Sequence, residues 1–223
     1  TVAEIGGNAI HRTRLHAQTE QQLKRLKSLH AIDIAIASSF DLPVMLGVFL
    51  DHALVQLRVD AGAILVLNPH TSMLEYVAGR GFRSRDVERS HLRLGEGYTG
   101  LVALKQRTLS VSDLRTVGAS FERAQLLAGE EFVTYYGVPL IAKGAVMGVL
   151  EIFHRSPLNP DAEWLRFMDM LAGQATIAIN DGTQYNNLQR SNLELTQAYT
   201  RTIEGWSRAP ELRDEETEGH AQR

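Results

Sequence analysis

Glu216 and His220 stand four residues apart, close to the end of the 223-residue chain. On a helix this spacing puts both side chains on one face, where a carboxylate and an imidazole can bind one hard or borderline metal ion. Two ligands do not complete a metal site, and the alternative interpretation is a solvated, acidic helix end. From this pair alone we therefore expect no metal-dependent catalysis in this chain.

Three glycines, Gly95, Gly97 and Gly100, match the spacing G-x-G-x-x-G. As a dinucleotide-binding fingerprint, this pattern requires a preceding core strand and an acidic residue about 20 positions later, within a βαβ unit. Here the preceding segment is charged and the strand that follows is short. The pattern therefore favours a tight turn that leads into a helix over a site for nucleotide phosphates.

The composition excludes several classes of chemistry. The chain contains no cysteine, which removes disulfides, thiol catalysis, zinc–thiolate sites and thioether-attached chromophores. His70, His91 and His154 are the candidates for an axial haem ligand, but an isolated histidine is more often a surface or hydrogen-bonded residue. We therefore expect no cofactor in this chain.

The charge balance argues against two classes of partner. The chain has 23 basic and 26 acidic residues, for a formal net charge of -3, so it lacks the basic footprint of a protein that binds nucleic acids or anionic membranes. No apolar run approaches the ~18 residues that span a membrane, and no signal peptide is visible. We expect no nucleic-acid binding, no membrane insertion and a cytoplasmic location.

Helical periodicity at both ends of the chain surrounds a strand-rich middle. Apolar residues recur at steps of three and four over 3–38, over 42–59 and from 161 onward. The segments 80–94 and 113–130 are mostly polar and charged. The predicted strands and short helix of the middle are 61–67, 73–78, 91–94, 108–111, 132–142 and 146–153, with a helix at 101–105.

This order predicts an α+β fold, with an antiparallel sheet of about five or six strands, helices packed on it and long helices at both ends. Segments 61–78 and 132–153 are expected to form hairpins, the second through a Lys143-Gly144 turn. Pro139 lies inside a predicted strand but cannot donate a backbone hydrogen bond, so we expect it at an edge or a bulge.

The last helix carries a heptad pattern. Tyr185, Leu188, Asn192, Leu195 and Tyr199 alternate in steps of three and four. One polar Asn in such a seam fixes the register and the number of strands of a parallel coiled coil. We expect a homodimer through the terminal helices, and the alternative is a helix that lies along its own domain.

The middle of the chain resembles a GAF domain. The motifs that carry the resemblance are the turn and helix at 94–103 (LGEGYTGLVA), the Val138-Pro139-Leu140 strand, the strand at 147–152 (MGVLEI) and the helix at 171–179. The resemblance covers about residues 28–180. It implies a sensory or regulatory module of a bacterial signalling protein, without catalytic activity in this chain.

The resemblance also implies a ligand pocket between the sheet and the segment 80–130. Aromatic side chains there can stack on a purine or another heterocycle, and charged ones can orient polar edges. The alternative is that the aromatics belong to the core and the charges to the surface. The sequence does not clearly indicate cyclic-nucleotide binding, because His154-Arg155 stands near where the family has Asn-Lys. The family's methionine sulfoxide reductases use catalytic cysteines, so the absence of cysteine excludes that activity. The implied pocket residues are Phe82, Arg93, Tyr98, Thr99, Asp113, Phe121 and Tyr135.

The end of the chain, 202–223, resembles the opening of an HD-GYP cyclic di-GMP phosphodiesterase domain. The resemblance rests on Arg213-Asp214, Thr217, His220 and Arg223, whereas Pro210 departs from the expected Leu and could break the helix. It implies that Glu216 and His220 are the first ligands of a divalent metal, Fe or Mn, in a complete parent domain that continues beyond this chain.

Together these patterns predict four segments: a connecting helix at 1–27, a GAF domain at 28–180, a coiled-coil-like linker at 181–207 and a truncated HD-GYP start at 208–223. Similarity between 3–10 and 172–179, at an offset of 169 residues, is interpreted as the tail of a preceding, similar domain or as chance. The predicted function is a sensor, with an unidentified small-molecule ligand, that controls the phosphodiesterase. The alternative is a ligand-free dimerisation spacer.

Overall fold

A computed structural model describes residues 41–116, 125–127 and 129–220, with side chains described as far as Arg201. The chain forms two compact units, Thr1–Asn180 and Asp181–Arg223, and each is described by itself. The helix predicted over 3–38 and the pocket residue Phe121 lie outside the described residues. No helix in the described part of the chain is both long enough and apolar enough to cross a membrane.

The described part contains three α-helices and six β-strands. In chain order they are α1 (Leu42–Leu57), β1 (Ala61–Asn68), β2 (Met73–Arg80), β3 (His91–Arg93), α2 (Gly97–Lys105), β4 (Leu109–Val111), β5 (Thr134–Ala142), β6 (Ala145–His154) and α3 (Ala162–His220). Short 3-10 turns occupy Asp86–Arg89 and Leu114–Thr116.

The strands form one sheet in the order β3-β2-β1-β6-β5-β4, and every pair is antiparallel. This confirms the predicted α+β fold and both predicted hairpins. The short β4 pairs with β5 only from Tyr135 to Gly137. Pro139 therefore lies on the part of β5 that extends past β4, and a bulge follows between Leu140 and Ile141, as its missing N–H predicted.

The two faces of the sheet are covered differently, and β6 shows how the sequence assigns them. Successive side chains of a strand point to opposite faces. Leu150 and Ile152 belong to a core formed with α1 and the first part of α3, up to Ile179. Val149 and Phe153 point to the other face, where α2 and the connecting loops pack.

Two details differ from the sequence-based expectation. Helix α2 begins at Gly97 rather than at Leu101, so Gly100 is helical. A Cβ at Gly100 would collide with the carbonyl oxygen of Arg93. This close approach explains why position 100 is a glycine. The break suggested at Pro210 was wrong, because α3 continues to His220 although proline removes one of its hydrogen bonds.

Candidate functional site

A carboxyl group lies near the middle of the sheet, on the face that α2 covers. Glu151 of β6 is fully buried. Its Oε1 accepts a hydrogen bond from the Thr99 hydroxyl at 2.5 Å and another from the Tyr135 hydroxyl at 3.1 Å. Burying an acidic group among apolar residues is unfavourable unless hydrogen bonds compensate, so apolar packing alone does not account for Glu151.

The Tyr135 ring reaches this carboxyl group because the next residue on the same face of β5 is a glycine. A Cβ atom at Gly137 would lie 2.5 Å from the Tyr135 hydroxyl oxygen and 2.8 Å from a methyl carbon of Val102. Both distances are shorter than van der Waals contact, so only glycine leaves room for the ring. The strand thus shapes the polar centre that consists of Glu151, Thr99 and Tyr135.

An aromatic cluster lies beside the polar centre. Phe153 is its hub, with ring centroids 4.9 Å from Phe132, 5.3 Å from Tyr135 and 5.7 Å from Phe82. Tyr98 lies 6.0 Å from Tyr135. These separations fall in the range in which aromatic pairs attract each other beyond simple burial. The cluster fills much of the space in which a ligand pocket was predicted.

The structure brings four of the predicted pocket residues together and separates two. Phe82, Tyr98, Thr99 and Tyr135 belong to the aromatic cluster or the polar centre. Arg93 is exposed on the edge strand β3. Asp113 lies in the connection after β4 and is paired with Arg115 at 2.7 Å, and its side chain lies outside both groups.

Three residues of this region were not predicted as site residues from the sequence: Glu151, Phe132 and Phe153. Glu151 had a usable signal, because it stands between Val149 and Phe153 in strict strand alternation and must share their buried face. Phe132 had none, since it precedes β5 and its partners are distant in sequence.

A second buried acid joins two loops at the edge of the aromatic cluster. Glu130 is 1% exposed. Its Oε1 accepts hydrogen bonds from the backbone N–H groups of Arg83 at 2.7 Å and Ser84 at 3.0 Å. Its Oε2 accepts one from Nη2 of Arg155 at 2.9 Å, and the Arg155 guanidinium lies 4.7 Å from the centroid of the Phe132 ring.

The residues at the end of β6 are held from the other side by Asp60. The Asp60 carboxylate accepts a hydrogen bond from the backbone N–H of Arg155 at 2.6 Å and lies 2.7 Å from Nδ1 of His154. His91 is exposed, with Nδ1 3.0 Å from the carbonyl oxygen of Arg89. Within the described ranges, no group of three or more His, Asp or Glu side chains could hold a metal ion.

Two titratable groups near this face have shifted acidity. Burial raises the pKa of Tyr76, the negative charge of Glu88 adds to that shift, and Arg80 opposes it. The hydrogen bond from Arg115 lowers the pKa of Asp113. Burial is the largest cause of the Tyr76 shift and the Arg115 hydrogen bond is the largest cause of the Asp113 shift, so both shifts report local structure.

The predicted dimer seam lies in the second unit. Leu188, Leu195 and Tyr199 are 62%, 57% and 65% exposed, and Asn192 is exposed as well. Tyr185 is half-buried, and its hydroxyl oxygen accepts a hydrogen bond from the Gln189 amide at 2.8 Å. Large apolar side chains therefore occupy the exposed seam positions of this helix.

The sheet order defines a structural class, the α+β domains built on a single antiparallel sheet. Solved structures agree with this class. The GAF domain of a phosphoenolpyruvate-protein phosphotransferase from Coxiella burnetii is 21% identical, with a TM-score of 0.65 over 74% of this chain and 98% of that chain. The corresponding Acinetobacter domain is 22% identical, with a TM-score of 0.62 over the same shares.

Sequence comparison names the family. The model of the GAF domain matches residues 41–180, and the chain therefore belongs to the GAF domain family, whose members are generally non-catalytic sensory domains. The Nif-specific regulatory proteins of Azospirillum lipoferum and Azospirillum brasilense are each 26% identical over 152 residues. The match covers 66% of this chain but only 24% of each relative, so the chain spans about a quarter of their length.

Proposed function

We propose that this GAF domain is a ligand-binding sensor and that the polar centre and the aromatic cluster form its recognition site. Buried Glu151 carries the proposal. A carboxyl group that accepts two hydroxyl hydrogen bonds beside a cluster of aromatic rings offers polar and aromatic recognition together. Such a site fits a small heterocycle that presents N–H or O–H donors to Glu151 and a flat face to Tyr98 or Phe82.

A ligand-free dimerisation spacer is the second candidate. The observation that favours it is the mutual packing of Phe82, Phe132, Tyr135 and Phe153. If these side chains fill the face permanently, ligand entry is blocked and the domain only connects its neighbours. The sensor instead requires the loop-borne rings of Phe82 and Phe132 to move aside.

Native mass spectrometry of the purified 223-residue chain separates the two candidates. The sensor predicts a reproducible added mass that disappears on denaturation, and Glu151→Gln should lower its occupancy. Tyr136→Phe is the matched control, because Tyr136 neighbours Tyr135 but packs against the other core. A bare chain mass from several expression conditions would favour the spacer.

We propose further that the output is an HD-GYP phosphodiesterase that follows residue 223. The resemblance of 202–223 supports this, and Glu216 and His220 would then contribute to a site for Fe or Mn in the complete domain. Their side chains lie outside the described residues. The test is the sequence of the full parent protein, in which a His-Asp pair must follow, and its absence would refute the proposed output.

We propose that the parent is a cytoplasmic homodimer joined by its terminal helices. The exposed apolar seam at Leu188, Leu195 and Tyr199 supports the dimer. Ligand binding at the sheet would shift how the 164–206 helices of two copies pack, and this shift would change how the attached catalytic domains approach each other. A strictly monomeric chain at high concentration would argue against this mechanism.

A further inference from the structure

We propose that the groups around Glu130 form a carboxylate-binding cradle, which the Glu130 side chain occupies as an internal ligand. The backbone N–H groups of Arg83 and Ser84 converge on one carboxylate oxygen, and the Arg155 guanidinium binds the other. Amide and guanidinium donors of this kind are those that proteins use to bind anions. The carboxylate of a small organic acid would accept the same three hydrogen bonds that the Glu130 carboxylate now accepts.

The Arg155 side of the cradle is held by contacts that do not involve the Glu130 carboxylate. Arg155 directly follows the long strand β6, and its backbone N–H donates to Asp60. Its Nη2 also donates to the Gly81 carbonyl at 3.1 Å, and its Nε donates to the backbone carbonyl of Glu130 at 2.9 Å. The Arg155 guanidinium therefore keeps two backbone hydrogen bonds that do not depend on the Glu130 carboxylate.

Glu130 itself is carried by an irregular segment. Gly129 and Glu131, on either side of it, both have left-handed backbone, with φ of 84° and 58°. A left-handed conformation is unfavourable for a residue such as Glu131. Its side chain is 72% exposed where it pairs with Arg83. The occupant thus sits on a strained turn, whereas Arg155 extends from the end of a sheet strand.

The geometry favours a planar carboxylate that carries an apolar remainder. One oxygen meets two amides and the other meets a guanidinium, which is the arrangement a carboxylate now fills. The Arg155 guanidinium lies over the Phe132 ring, and Phe132 packs against Phe82 and Phe153. The remainder of a ligand bound here would lie against these rings, so the cradle is the anionic end of the proposed recognition site.

Chemical rescue tests the cradle in the whole 223-residue chain. Glu130→Ala should lower the thermal midpoint by several degrees, and sodium formate or acetate should restore part of the loss in a saturable way. Sodium chloride at the same ionic strength is the salt control. Glu131→Ala is the matched variant, because it removes an exposed carboxylate from the same turn and should show neither the loss nor the rescue. Equal effects of formate and chloride on Glu130→Ala would overturn the proposal.

Glu130→Gln covers the case in which the alanine variant does not fold. Amide resonances of Arg83 and Ser84 should shift with formate in both proteins, and half-saturation in the variant should need at least tenfold less formate. Phosphate should bind more weakly than formate, and the absence of a saturable shift in both proteins would overturn the proposal.

The inference rests on the proposed sensor for its physiological meaning. Rescue without any natural ligand would refute only the sensor, whereas a bound ligand without rescue would refute only the cradle.

Discussion

At the scale of residues, two buried acids are stabilised in different ways. Glu151 is held by two side-chain hydroxyls, whereas Glu130 is held by two backbone amides and a guanidinium. The guanidinium bond to Glu130 is charge-assisted and belongs to the stronger class of hydrogen bonds, whereas both hydroxyl donors to Glu151 are neutral groups.

The hydroxyl bonds to Glu151 should be energetically coupled. We expect Thr99→Val and Tyr135→Phe each to lower the free energy of unfolding by about 1 kcal/mol. Because both donate to one oxygen, the double variant should depart from additivity by at least 0.5 kcal/mol. Urea unfolding measures all three. Tyr136→Phe should cost less, since that ring is only half-buried, and strict additivity would show that the bonds act independently.

The Asp113–Arg115 pair should give a small and predictable pH effect. The folded pKa of Asp113 is below its ordinary value because Arg115 donates to its carboxylate. Its contribution to stability is complete above the ordinary pKa and disappears as the pH falls through the lowered one. Arg115→Gln should return the pKa of Asp113 to its usual range, as measured by an NMR titration of the carboxyl carbon. An unchanged pKa would mean that another group causes the shift.

At the scale of elements, periodicity and turn residues predicted all six strands to within about two residues. They failed where propensity and tertiary contact disagree. Gly97 and Gly100 are poor helix formers, so the start of α2 was predicted too late. The partners in the two buried clusters also escaped prediction, because Thr99 meets Glu151 and Glu130 meets Arg155 across 52 and 25 residues. Only the folded sheet brings these residues together.

Two glycines in regular elements should respond to alanine with opposite signs. Gly137→Ala places a methyl group against the Tyr135 hydroxyl and Val102, and such overpacking costs about 1–3 kcal/mol. A Cβ at Gly173 of α3 meets nothing within 4 Å, so Gly173→Ala should gain up to about 1 kcal/mol of helix propensity. Denaturant midpoints of both variants test this. Equal destabilisation would contradict the assigned environments.

At the scale of the whole molecule, the exposed helical seam and the buried sheet face belong to separate units, and the proposed dimer depends only on the first of these features. Leu193 offers an internal comparison. It is 62% exposed, the same as Leu188, but lies one position after Asn192 and outside the heptad seam. If exposure alone decided association, the two leucines would matter equally. If the heptad seam forms the interface, only Leu188 should matter.

Charge substitutions along the helix should distinguish association through the heptad seam from association through any exposed leucine. Leu188→Glu and Leu195→Glu should each convert the proposed dimer into a monomer. In the dimer, the glutamate of one copy would be buried opposite the same glutamate of the other copy, and the two charges would repel. Leu193→Glu should leave the molecular mass unchanged. Light scattering coupled to size exclusion measures the mass. If all three variants behave alike, the heptad does not define an interface.

The pairing of the first and last strands has a consequence for how the chain is made. Ala61 of β1 lies opposite Phe153 of β6, so about 90 further residues must leave the ribosome before the inner edge of β1 is covered. At bacterial and eukaryotic translation rates this takes roughly 5–20 seconds. Throughout that interval the apolar β1–β2 hairpin presents an open edge. Nascent chains arrested before β6 should therefore be the species that aggregate or recruit chaperones, and chains released after β6 should not.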